Sequence, residues 1–332
     1  MIVVNGRFLG QRPGGLQRTA RSLLAALREV AEVEVVAPAP DPLADVVLPA
    51  PPGRGGGQVW EQVRLPRFAR GRLVLSLANT APVAGRNAVL VHDLAPLVGP
   101  QWFVPSMRVY GRLVLAAARH AELCLTVSHV VADELRERGA DVAGMVRPAV
   151  DPSFARSSPA AVRQVRHAHG LHRPYALLLG WADPRKDAAL AVRAHLGALA
   201  EVPHDLVLLG GGRGVFAPVL LPEVPSVHRL GHVADDDVRA LLTGAAVLLF
   251  PSRYEGFGLP PLEARACGTP SLVSDLPVLR ESGGGTTFLP VGDLPIWTAA
   301  LVDALRSPTR VEPAVSRTWA DAAASLQELL PG

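Results

Sequence analysis

Lysine is almost missing from this chain of 332 residues: Lys186 is the only one, and arginine supplies the rest of the 33 basic side chains. Cysteine is nearly as scarce, with Cys124 and Cys267 alone. Neither has a partner at a metal-ligand spacing, so we expect two buried thiols in a reducing compartment. No apolar run approaches the roughly 20 residues that cross a bilayer, and the N-terminus lacks a signal-peptide pattern. The sequence favours a cytoplasmic protein, soluble or peripheral on the inner face of the membrane.

Charge is also in short supply. Charged residues make up 19% of the chain, and the formal net charge is only +3. No block of basic residues is interleaved with aromatic residues, so the composition argues against nucleic acid as a partner. A mild positive excess suits acidic phosphates or an anionic membrane surface instead. With 49% hydrophobic residues, the chain is long enough to bury the cores of two domains.

Residues 250–281 organise the rest of the chain. Short apolar runs alternate with amphipathic stretches, which is the pattern of an α/β protein. One such run ends at Pro251, as a buried strand does, and a glycine-rich turn and two prolines follow. Proline is tolerated in the first turn of a helix. We therefore expect a helix that starts near Leu259, carries Glu263 in its first turn and ends before Gly268.

The chemistry of this stretch points to an anion flanked by hydroxyl groups. Open α/β sheets bind ligands beyond the ends of their strands, and a helix N-terminus there favours an anion. Glu255 and Glu263 would repel a phosphate, but carboxylates can accept hydrogen bonds from sugar hydroxyls on either side of one. The combination suits a sugar–diphosphate–nucleoside. Taken singly, Glu255 could be an exposed loop residue, and Glu263 a first-turn acid that stabilises the helix dipole.

Residues 251–270 read P-S-R-Y-E-G-F-G-L-P-P-L-E-A-R-A-C-G-T-P. This segment resembles the signature of the retaining glycosyltransferases of family four. The resemblance implies the GT-B fold: an α/β protein with two doubly wound, Rossmann-like parallel-sheet domains facing across a cleft. It also implies that Glu255 contacts the donor sugar, as a catalytic residue, and that Glu263 contacts the nucleotide ribose. The residues between them would bind the donor as well: Gly256, Phe257, Gly258 and Leu259.

Two adjacent cations, Arg185 and Lys186, follow the apolar strand expected over 175–181. Arginine can bind a diphosphate through two parallel bonds and lysine as a point charge. A solvated basic turn is the plainer interpretation. The sequence P-R-K-D at 184–187 resembles the family's P-R-K-N, with Asp187 in place of the usual asparagine. The resemblance implies that both cations hold the donor diphosphate and take part in catalysis.

Gly14 and Gly15 lie between the first apolar strand and a helical stretch. Glycine lets the backbone approach an anion closely, although many turns between strands and helices carry such a pair. The nicotinamide fingerprint G-x-G-x-x-G is absent at this place. The family has a Gly-Gly loop after its first strand, at the cleft between domains, and the resemblance therefore implies that Gly14 and Gly15 bind the donor.

His92 follows the apolar strand expected over 88–91, at the edge where α/β sites are built. From the residues alone, it could be a structural histidine bonded to a neighbouring carbonyl group. The sequence V-H-D-L-A-P-L resembles that of mannosyl- and rhamnosyltransferase-like members of the family, in which the histidine points at the donor sugar. The resemblance therefore implies a catalytic role for His92. We interpret Asp93 as an orienting or capping residue.

Two other charged stretches allow more than one interpretation. The helix expected over 105–121 carries Arg108, Arg112 and Arg119 among apolar residues. It could be a half-buried helix with solvated arginines, or an interfacial helix that docks on anionic lipid. The aspartates at 235–237 are better explained as helix caps than as metal ligands. The resemblance likewise implies neither a metal nor a cofactor beyond the nucleotide sugar itself.

The resemblance covers almost the whole chain and implies an N-terminal, acceptor-side domain over 1–150 and a C-terminal, nucleotide-sugar-binding domain over 151–315. The final helix, 316–332, would pack back on the first domain. The expected reaction is retaining, metal-independent transfer of a hexose, with mannose or rhamnose favoured, from a nucleotide-diphosphate donor to a hydroxyl of a glycan, glycolipid or natural-product acceptor. Two alternatives stay open: a nucleotide-sugar epimerase or phosphorylase of the same fold, and a non-catalytic nucleotide-sugar-binding protein.

Overall fold

A computed structural model describes residues 2–11, 14–53, 55–212, 214–315 and 317–331. Contacts between Cα atoms divide the chain into two compact units. The first comprises Met1–Val98, Arg108–Ala149 and Arg317–Gly332, and the second comprises Gly99–Met107 and Val150–Ser316. We expected residues 99–107 in the N-terminal domain, whereas they lie in the second unit.

Strands in the described residues form two sheets, one in each unit. They are β1 (Ile2–Asn5), β2 (Val33–Ala37), β3 (Val46–Val47), β4 (Val74–Ser76), β5 (Asn87–Val91), β6 (Leu123–Thr126), β7 (Val142–Met145), β8 (Tyr175–Leu179), β9 (Asp205–Leu209), β10 (Val227–Leu230), β11 (Val247–Phe250), β12 (Ser271–Ser274) and β13 (Thr287–Leu289).

Both sheets have the strand order of doubly wound α/β folds. The first runs β3-β2-β1-β4-β5-β6-β7 and the second β10-β9-β8-β11-β12-β13. Every pairing between neighbouring strands is parallel. The predicted fold class, two doubly wound parallel sheets, is confirmed. In each sheet the order reverses at one point, between β1 and β4 and between β8 and β11, and such switch points are where these folds bind ligands.

Helices connect the strands. The α-helices of the described residues are α1 (Gly15–Arg28), α2 (Gly56–Val59), α3 (Leu65–Ala69), α4 (Ala95–Val98), α5 (Pro105–His120), α6 (His129–Glu137), α7 (Pro159–Ala168), α8 (Ala188–Ala198), α9 (Asp235–Gly244), α10 (Leu259–Ala266), α11 (Pro277–Ser282), α12 (Leu294–Arg306) and α13 (Trp319–Leu329). Short 3-10 helices span Gly6–Gly10, Pro100–Trp102 and Pro184–Lys186, and a π-helix spans Trp60–Arg64.

The second sheet is buried on both faces, which explains why its central strands read as unbroken apolar runs. Successive side chains of a strand point to opposite faces. Leu178 and Leu208 accordingly pack in one cluster with Trp297, while Leu177 and Val207 pack in another on the opposite face. Burial on two faces holds the strand ends rigidly, and the loops that follow β8 and β11 start from fixed positions.

The segment before β4 differs from the expectation. Proline and glycine are frequent over 38–58, a composition that by itself predicts a surface excursion. The structure instead has β3 within this range and a helical stretch from Gly56 to Ala69, in which the π-helix joins α2 to α3. Trp60 and Leu65 are fully buried and anchor this stretch on the core of the first unit. Burial of these side chains outweighs the poor helix propensity of glycine.

Helix α13 packs on α1 and β7 within the first unit. Gln327 Nε2 donates to the carbonyl of Val30 at 2.7 Å. A Cβ atom added to Gly144 would lie 2.7 Å from Leu329 Cδ2, so a larger residue there would displace the end of that side chain. Ser316 and Gly332, at the ends of the expected final helix, lie outside the described residues.

Candidate functional site

The residues singled out in the C-terminal half lie at the switch point of the second sheet. Arg185 and Lys186 are in the loop that follows β8, and Glu255 is in the loop that follows β11. These two strands are hydrogen-bonded neighbours, and the strand order reverses between them. Residues 69 positions apart in the chain are therefore brought side by side at the edge where ligands of such sheets bind.

A tight turn holds the two cations. The buried carboxylate of Asp183 accepts a hydrogen bond from the backbone N–H of Arg185 at 3.0 Å and so caps the 3-10 helix. Asp187 follows with a φ of +45°, and its side chain caps α8 by accepting from the N–H of Leu190 at 3.3 Å. Aspartate and asparagine both tolerate this left-handed conformation. Aspartate at 187 can thus hold the same turn as the family's asparagine.

Lys186 and Glu255 form an ion pair. The Nζ–Oε1 distance is 2.5 Å, and the side chains are only 14% and 10% exposed. The ammonium also lies 4.3 Å from the ring centroid of Phe250, at the end of β11. Each buried charge needs the other, because an unpaired charge is costly away from water. An ammonium has three N–H donors, so Lys186 can keep Glu255 and still bind another acceptor.

Arg185 is held by a carboxylate and two aromatic rings. Its Nε lies 3.0 and 3.1 Å from the two carboxylate oxygens of Asp183, and Nη2 donates to one of them at 2.7 Å. Its guanidinium carbon lies 5.6 Å from the ring centroid of Phe103 and 6.0 Å from that of Phe216. The side chain is 15% exposed. Neither Arg185 nor Lys186 is therefore a freely solvated turn residue.

An aromatic group beside this turn had no signal in the sequence. The rings of Phe103 and Phe216 are 5.6 Å apart, and the two residues form an antiparallel backbone bridge. Trp102 lies 6.3 Å from Tyr254, which follows β11. The four side chains come from three distant segments of the chain, so only the fold brings them together.

Helix α10 begins at Leu259, as predicted, and Gly258 precedes it with a φ of +93°. A Cβ atom on Gly258 would lie 2.3 Å from Leu279 Cδ2, so a larger residue would have to displace Leu279 as well as adopt a left-handed φ. Pro260 and Pro261 have no N–H group. The first turn can therefore offer an anion only the N–H groups of Gly258 and Leu259.

The predicted place of Glu263 in the first turn of α10 is wrong. The helix starts at Leu259 and has no acidic residue in its first turn, so Glu263 lies in the second turn, half-buried. Stabilisation by the helix dipole falls off beyond the first turn, which weakens that interpretation of Glu263. In the loop before the helix, Gly256 is buried and Phe257 packs against the core.

In the first unit, His92 follows β5 and is tied to the loop after β4. Its backbone N–H donates to Asn79 Oδ1 at 2.6 Å, and its ring Nε2 lies 2.9 Å from the carbonyl oxygen of Leu77. A carbonyl only accepts, so the neutral ring carries its proton on Nε2 and presents Nδ1 as an acceptor. Burial lowers the pKa of His92, against the opposing effects of the Leu77 carbonyl and Asp93. The ring is neutral at neutral pH.

The same histidine is thus bonded to a neighbouring carbonyl, as the structural interpretation requires, and keeps one ring nitrogen for another contact. Asp93 Oδ1 accepts from the N–H of Ala95 at 3.1 Å, at the start of α4, which is consistent with an orienting or capping role for Asp93. The Tyr110 hydroxyl bonds the side chain of Asn79, and burial raises its pKa.

Gly14 and Gly15 form the start of α1. Gly14 is the N-cap and makes no side-chain cap bond, and nothing lies within 4 Å of a Cβ built on Gly15. Arg12 and Pro13, in the same glycine-rich loop, lie outside the described residues. The described part of the loop has the backbone geometry of a helix N-terminus that can accept an anion.

A buried polar cluster at the switch point of the first sheet had no signal in the sequence. Glu61 is 2% exposed and accepts from Asn5 Nδ2 at 2.8 Å, Arg7 Nη1 at 2.7 Å and Thr80 Oγ1 at 2.9 Å. Asn5 also donates to Ser76 Oγ at 3.0 Å. A polar cavity of about 10 Å³ adjoins them, with room for about one water molecule. Partners this distant in the chain have no spacing that a sequence pattern could reveal.

The two cysteines are buried, and the aspartate run lies at the start of α9. Cys124 and Cys267 are buried, as predicted, and burial raises the pKa of their thiols to about 12 and about 11. Asp235, Asp236 and Asp237 fill the first turn of α9, whereas Ala234 is its N-cap. The predicted capping role of these aspartates is therefore wrong, and they stabilise the helix dipole instead.

Across the described ranges, no group of three or more histidine, cysteine, aspartate or glutamate residues is placed to hold a metal ion. Within the same ranges, no helix combines the length and the apolar character needed to cross a membrane.

Known proteins share both the sequence pattern and the fold. Residues 173–307 match the family described as glycosyl transferases group 1. The O-antigen chain mannosyltransferase RfbU of Salmonella typhimurium is 25% identical over 339 residues, which cover 93% of this chain and 92% of that protein. The O-antigen chain mannosyltransferase B of Escherichia coli is 29% identical over 254 residues, which cover 71% and 66%.

A solved structure extends the likeness to the whole chain. The crystal structure of Anabaena Alr3699/HepE in complex with UDP and glucose matches with a TM-score of 0.68 at 17% identity, and covers 99% of this chain and 94% of that one. The two doubly wound sheets and the match over both of them agree on one architecture. Residues 173–307 form a domain of the glycosyl transferases group 1 family, and the chain is a glycosyltransferase with the GT-B fold.

Proposed function

We propose that this enzyme transfers a hexose from a nucleotide-diphosphate donor to a hydroxyl of a glycan, glycolipid or natural-product acceptor, with retention at the anomeric carbon and without a metal ion. Mannose or rhamnose is the favoured sugar, and the relatives reported above, which are mannosyltransferases, support mannose. The observation that carries the proposal is the Lys186–Glu255 pair at the switch point of the second sheet. It places a cation for phosphate beside a carboxylate for sugar hydroxyls.

Lys186 is the main phosphate ligand in this proposal. Its ammonium keeps one bond to Glu255 and donates another to the diphosphate, whose negative charge grows as the bond to the sugar breaks. The contact therefore strengthens in the transition state, which raises the rate and not only the affinity. The N–H groups of Gly258 and Leu259 supply two further donors at the start of α10.

Arg185 supports the same diphosphate less directly. Nε and Nη2 are both engaged by Asp183, so contact with phosphate competes with that carboxylate. We propose that Arg185 adds positive potential and fixes the turn that carries Lys186. Its contribution to donor affinity should therefore be smaller than that of Lys186.

In this proposal, the two carboxylates accept hydrogen bonds from hydroxyl groups of the donor. Glu255 accepts from the transferred sugar, next to Lys186, and Glu263 accepts from the ribose. Gly256 and Phe257 complete the loop between them. In the first unit, Nδ1 of His92 accepts from a sugar hydroxyl, and the N-terminus of α1 at Gly14 and Gly15 approaches the donor phosphates.

Retention follows if the acceptor attacks on the face that the phosphate leaves. The bond from the anomeric carbon to the phosphate oxygen breaks, and the bond to the acceptor oxygen forms on the same face. The proton of the acceptor hydroxyl passes to the departing phosphate oxygen. The nucleoside diphosphate is therefore both the leaving group and the base. Charge develops on the diphosphate, where Lys186 can stabilise it without a metal ion.

Donor binding and product analysis test the proposal together. A thermal-shift panel should compare guanosine diphosphate mannose, thymidine diphosphate rhamnose and uridine diphosphate glucose. Ligand at 100 times its dissociation constant stabilises the folded state by about 2.7 kcal/mol. The favoured donor should then yield an α- or β-linked product of unchanged anomeric configuration by NMR, in the presence of a chelator.

Different outcomes would contradict different parts of the proposal. Turnover of the uridine donor alone would overturn the preferred sugar nucleotides. Inversion at the anomeric carbon, or loss of activity in chelator that a divalent ion restores, would overturn the mechanism. Conversion of the donor without an acceptor would favour an epimerase, and binding without turnover across many acceptors would favour a non-catalytic protein.

We also propose that the enzyme acts in the cytoplasm in peripheral contact with an anionic membrane. The mild positive charge of the chain supports this localisation.

A further inference from the structure

A cavity of about 590 Å³ opens on the first unit. It is formed by the end of β3 and by the helical stretch before β4. Its lining is mostly arginine: Leu48, Arg64, Arg67, Phe68, Arg70 and Arg72. This set is called the arginine groove below. Four cations around one cavity repel one another unless an anion or a neighbouring acceptor compensates them.

Two of the four arginines have partners in the protein. Arg72 Nη1 lies 2.7 Å from Glu34 Oε2, and its guanidinium carbon lies 5.4 Å from the ring centroid of Phe68. Arg64 donates to the carbonyl of Pro49. Arg67 and Arg70 are exposed, and neither forms an ion pair with a carboxylate of the described ranges. The groove therefore carries an excess of positive charge that no acidic side chain of the described residues offsets.

Arg70 occupies a position that would suit glycine better. It caps α3 with a φ of +49°, and Gly71 follows at +84°. A non-glycine residue in the left-handed region costs about 1 kcal/mol relative to glycine. An arginine kept there at that cost is explained if its side chain binds something.

The helix dipole gives a simpler account of part of the groove. Cations at the C-terminus of a helix are stabilised by its partial negative charge. Arg67 and Arg70 lie at that end of α3, whereas Arg64 is the last residue of the π-helix that leads into α3. The dipole therefore does not explain Arg64, the third exposed arginine. It also does not explain the exposed apolar side chains in the turns before Arg64.

Valine side chains continue the same exposed face. Val59 is 49% exposed and Val63 is 36% exposed. They precede Arg67 by eight and four residues, and residues four apart share one face of a helix. An exposed face with apolar residues at one end and arginines at the other suits the interface of a membrane, where apolar groups sink below the level of the headgroups.

We propose that the arginine groove docks the enzyme on an anionic lipid membrane, with lipid phosphates between Arg67 and Arg70 and with Val59 and Val63 in the interface. Charge complementarity selects this occupant, because arginine binds phosphate oxygens through two parallel bonds. This proposal rests on the membrane contact of the proposed function, and it identifies the protein surface that makes the contact. It does not depend on which sugar is transferred.

Helix α5 offers a rival surface in the same unit. Arg108 and Arg112 are exposed there, and Val109 between them is 59% exposed. This helix was the interfacial candidate in the sequence. The two surfaces make opposite predictions for paired variants, so one experiment separates them.

Vesicle co-sedimentation of the full chain tests the proposal, with vesicles of phosphatidylcholine alone or mixed with phosphatidylglycerol. The groove variant is Arg67→Gln with Arg70→Gly, and the second change also relieves the left-handed φ. The rival variant is Arg108→Gln with Arg112→Gln. The control is Arg163→Gln with Arg193→Gln, two exposed arginines of α7 and α8 that change the net charge equally.

The groove variant should bind the anionic vesicles about 30-fold more weakly, the equivalent of about 2 kcal/mol at about 1 kcal/mol for each arginine near an anionic surface. The control should lose little, and neutral vesicles should bind none of the proteins well. Val59→Ser with Val63→Ser should weaken binding at high salt, where the electrostatic part is screened.

Three results would overturn the proposal. Equal binding by the groove variant and the control would show that the groove is not the docking surface. Loss of binding in the α5 variant alone would transfer the role to α5. In the third result, the wild type binds inorganic pyrophosphate in calorimetry but does not bind vesicles, and the groove variant loses the pyrophosphate binding. The groove would then be a site for a soluble anion. Donor thermal shifts without vesicles report separately on the proposed function.

Discussion

Lys186 and Glu255 depend on one another at the scale of single residues. Their charged atoms are 2.5 Å apart, and their side chains are 14% and 10% exposed. A lysine in a turn ordinarily extends into solvent and can be removed at little cost. Here its removal leaves a nearly buried carboxylate without its cation, which is destabilising. An alanine variant at this position therefore changes folding and donor binding together.

We expect Lys186→Ala to lower the free energy of unfolding by about 1–3 kcal/mol, because a buried charged group loses its partner. Donor affinity should fall by about 10- to 150-fold, the equivalent of one charge-assisted bond. Adding Glu255→Gln should restore most of the lost stability, since a neutral amide is easier to bury than an unpaired carboxylate, while donor affinity stays low. Urea unfolding and donor titration measure the two effects separately.

Arg163→Ala, at an exposed position on α7, serves as the control for these variants. Equal donor affinity in Lys186→Ala and in this control would remove the phosphate role of Lys186. A double variant as unstable as the single one would show that the ion pair is not the source of the destabilisation.

The protonation state of His92 makes a second prediction at this scale. The ring is neutral with its proton toward Leu77, and burial lowers the pKa of His92 below its ordinary value of 6.5. Protonation of Nδ1 would convert an acceptor into a donor and weaken a contact with a sugar hydroxyl. If kcat/KM falls in acid because His92 is protonated, the fall should be absent in His92→Gln. Its midpoint in the wild type should then lie below pH 6.5. A His92-dependent limb above about pH 7 in the pH–rate profile would contradict this assignment.

At the scale of elements, the start of α10 depends on one glycine. Gly258 and Gly283 both have positive φ, at +93° and +72°. A Cβ atom would meet Leu279 at 2.3 Å in the first case and nothing within 4 Å in the second. The pair therefore separates the cost of backbone conformation from the cost of a steric clash.

We expect Gly283→Ala to lose about 1 kcal/mol, the cost of placing a Cβ in the left-handed region. Gly258→Ala should lose about 1–3 kcal/mol more, because its Cβ forces Leu279 and the helix start apart. It should also weaken donor binding, since the N–H groups of Gly258 and Leu259 move. Urea unfolding gives the stabilities, and equal losses in the two variants would show that Leu279 adapts without cost.

The helix starts were predictable from the sequence where proline and glycine mark them, and α10 begins at Leu259 as the two prolines indicated. The position of an acidic side chain relative to the helix start was harder to predict. Glu263 falls in the second turn, and the aspartates of α9 fall after the N-cap rather than on it. For α9 the error is one residue at the boundary, which moves a side chain by about 100° around a helix and changes its role. For α10 the start was right, and Glu263 lies beyond the first turn because it is the fifth residue of the helix.

At the scale of the whole molecule, alternating apolar runs were enough to predict two parallel sheets, because strands buried on both faces leave continuous apolar segments. Contacts between distant segments were not predictable. The cluster around Glu61 joins residues 54 and 56 positions apart, and residues 99–107 lie in the second unit although they fall between two segments of the first. Sequence periodicity reports which face of an element is buried, not which distant side chain lies against it.

A buried pair of histidines in the second unit should make the stability of the protein depend on pH. His195 Nδ1 lies 2.8 Å from His204 Nε2, and His195 Nε2 lies 2.8 Å from Ser226 Oγ. His204 Nδ1 donates to the carbonyl of Val202 at 2.7 Å. Both rings are fully buried. Each bond is satisfied when both rings are neutral. The hydroxyl of Ser226 could also accept from a protonated His195, so it is the burial of the charge, and not a lost hydrogen bond, that disfavours the added proton.

Burial, with the nearby His204 and His228, lowers the pKa of His195 to about 3. The unfolded chain takes up this proton near pH 6.5, the ordinary value, so stability is fully present above that pH and is lost as the pH falls toward the folded pKa. Between about pH 7.5 and about pH 5, His195 alone should cost about 2 kcal/mol of unfolding free energy. His195→Gln should flatten this pH dependence even if it lowers stability throughout, while His167→Gln, at an exposed position on α7, should leave it unchanged. Urea unfolding at several pH values measures the slope, and parallel slopes in wild type and His195→Gln would mean that other groups cause the loss of stability in acid.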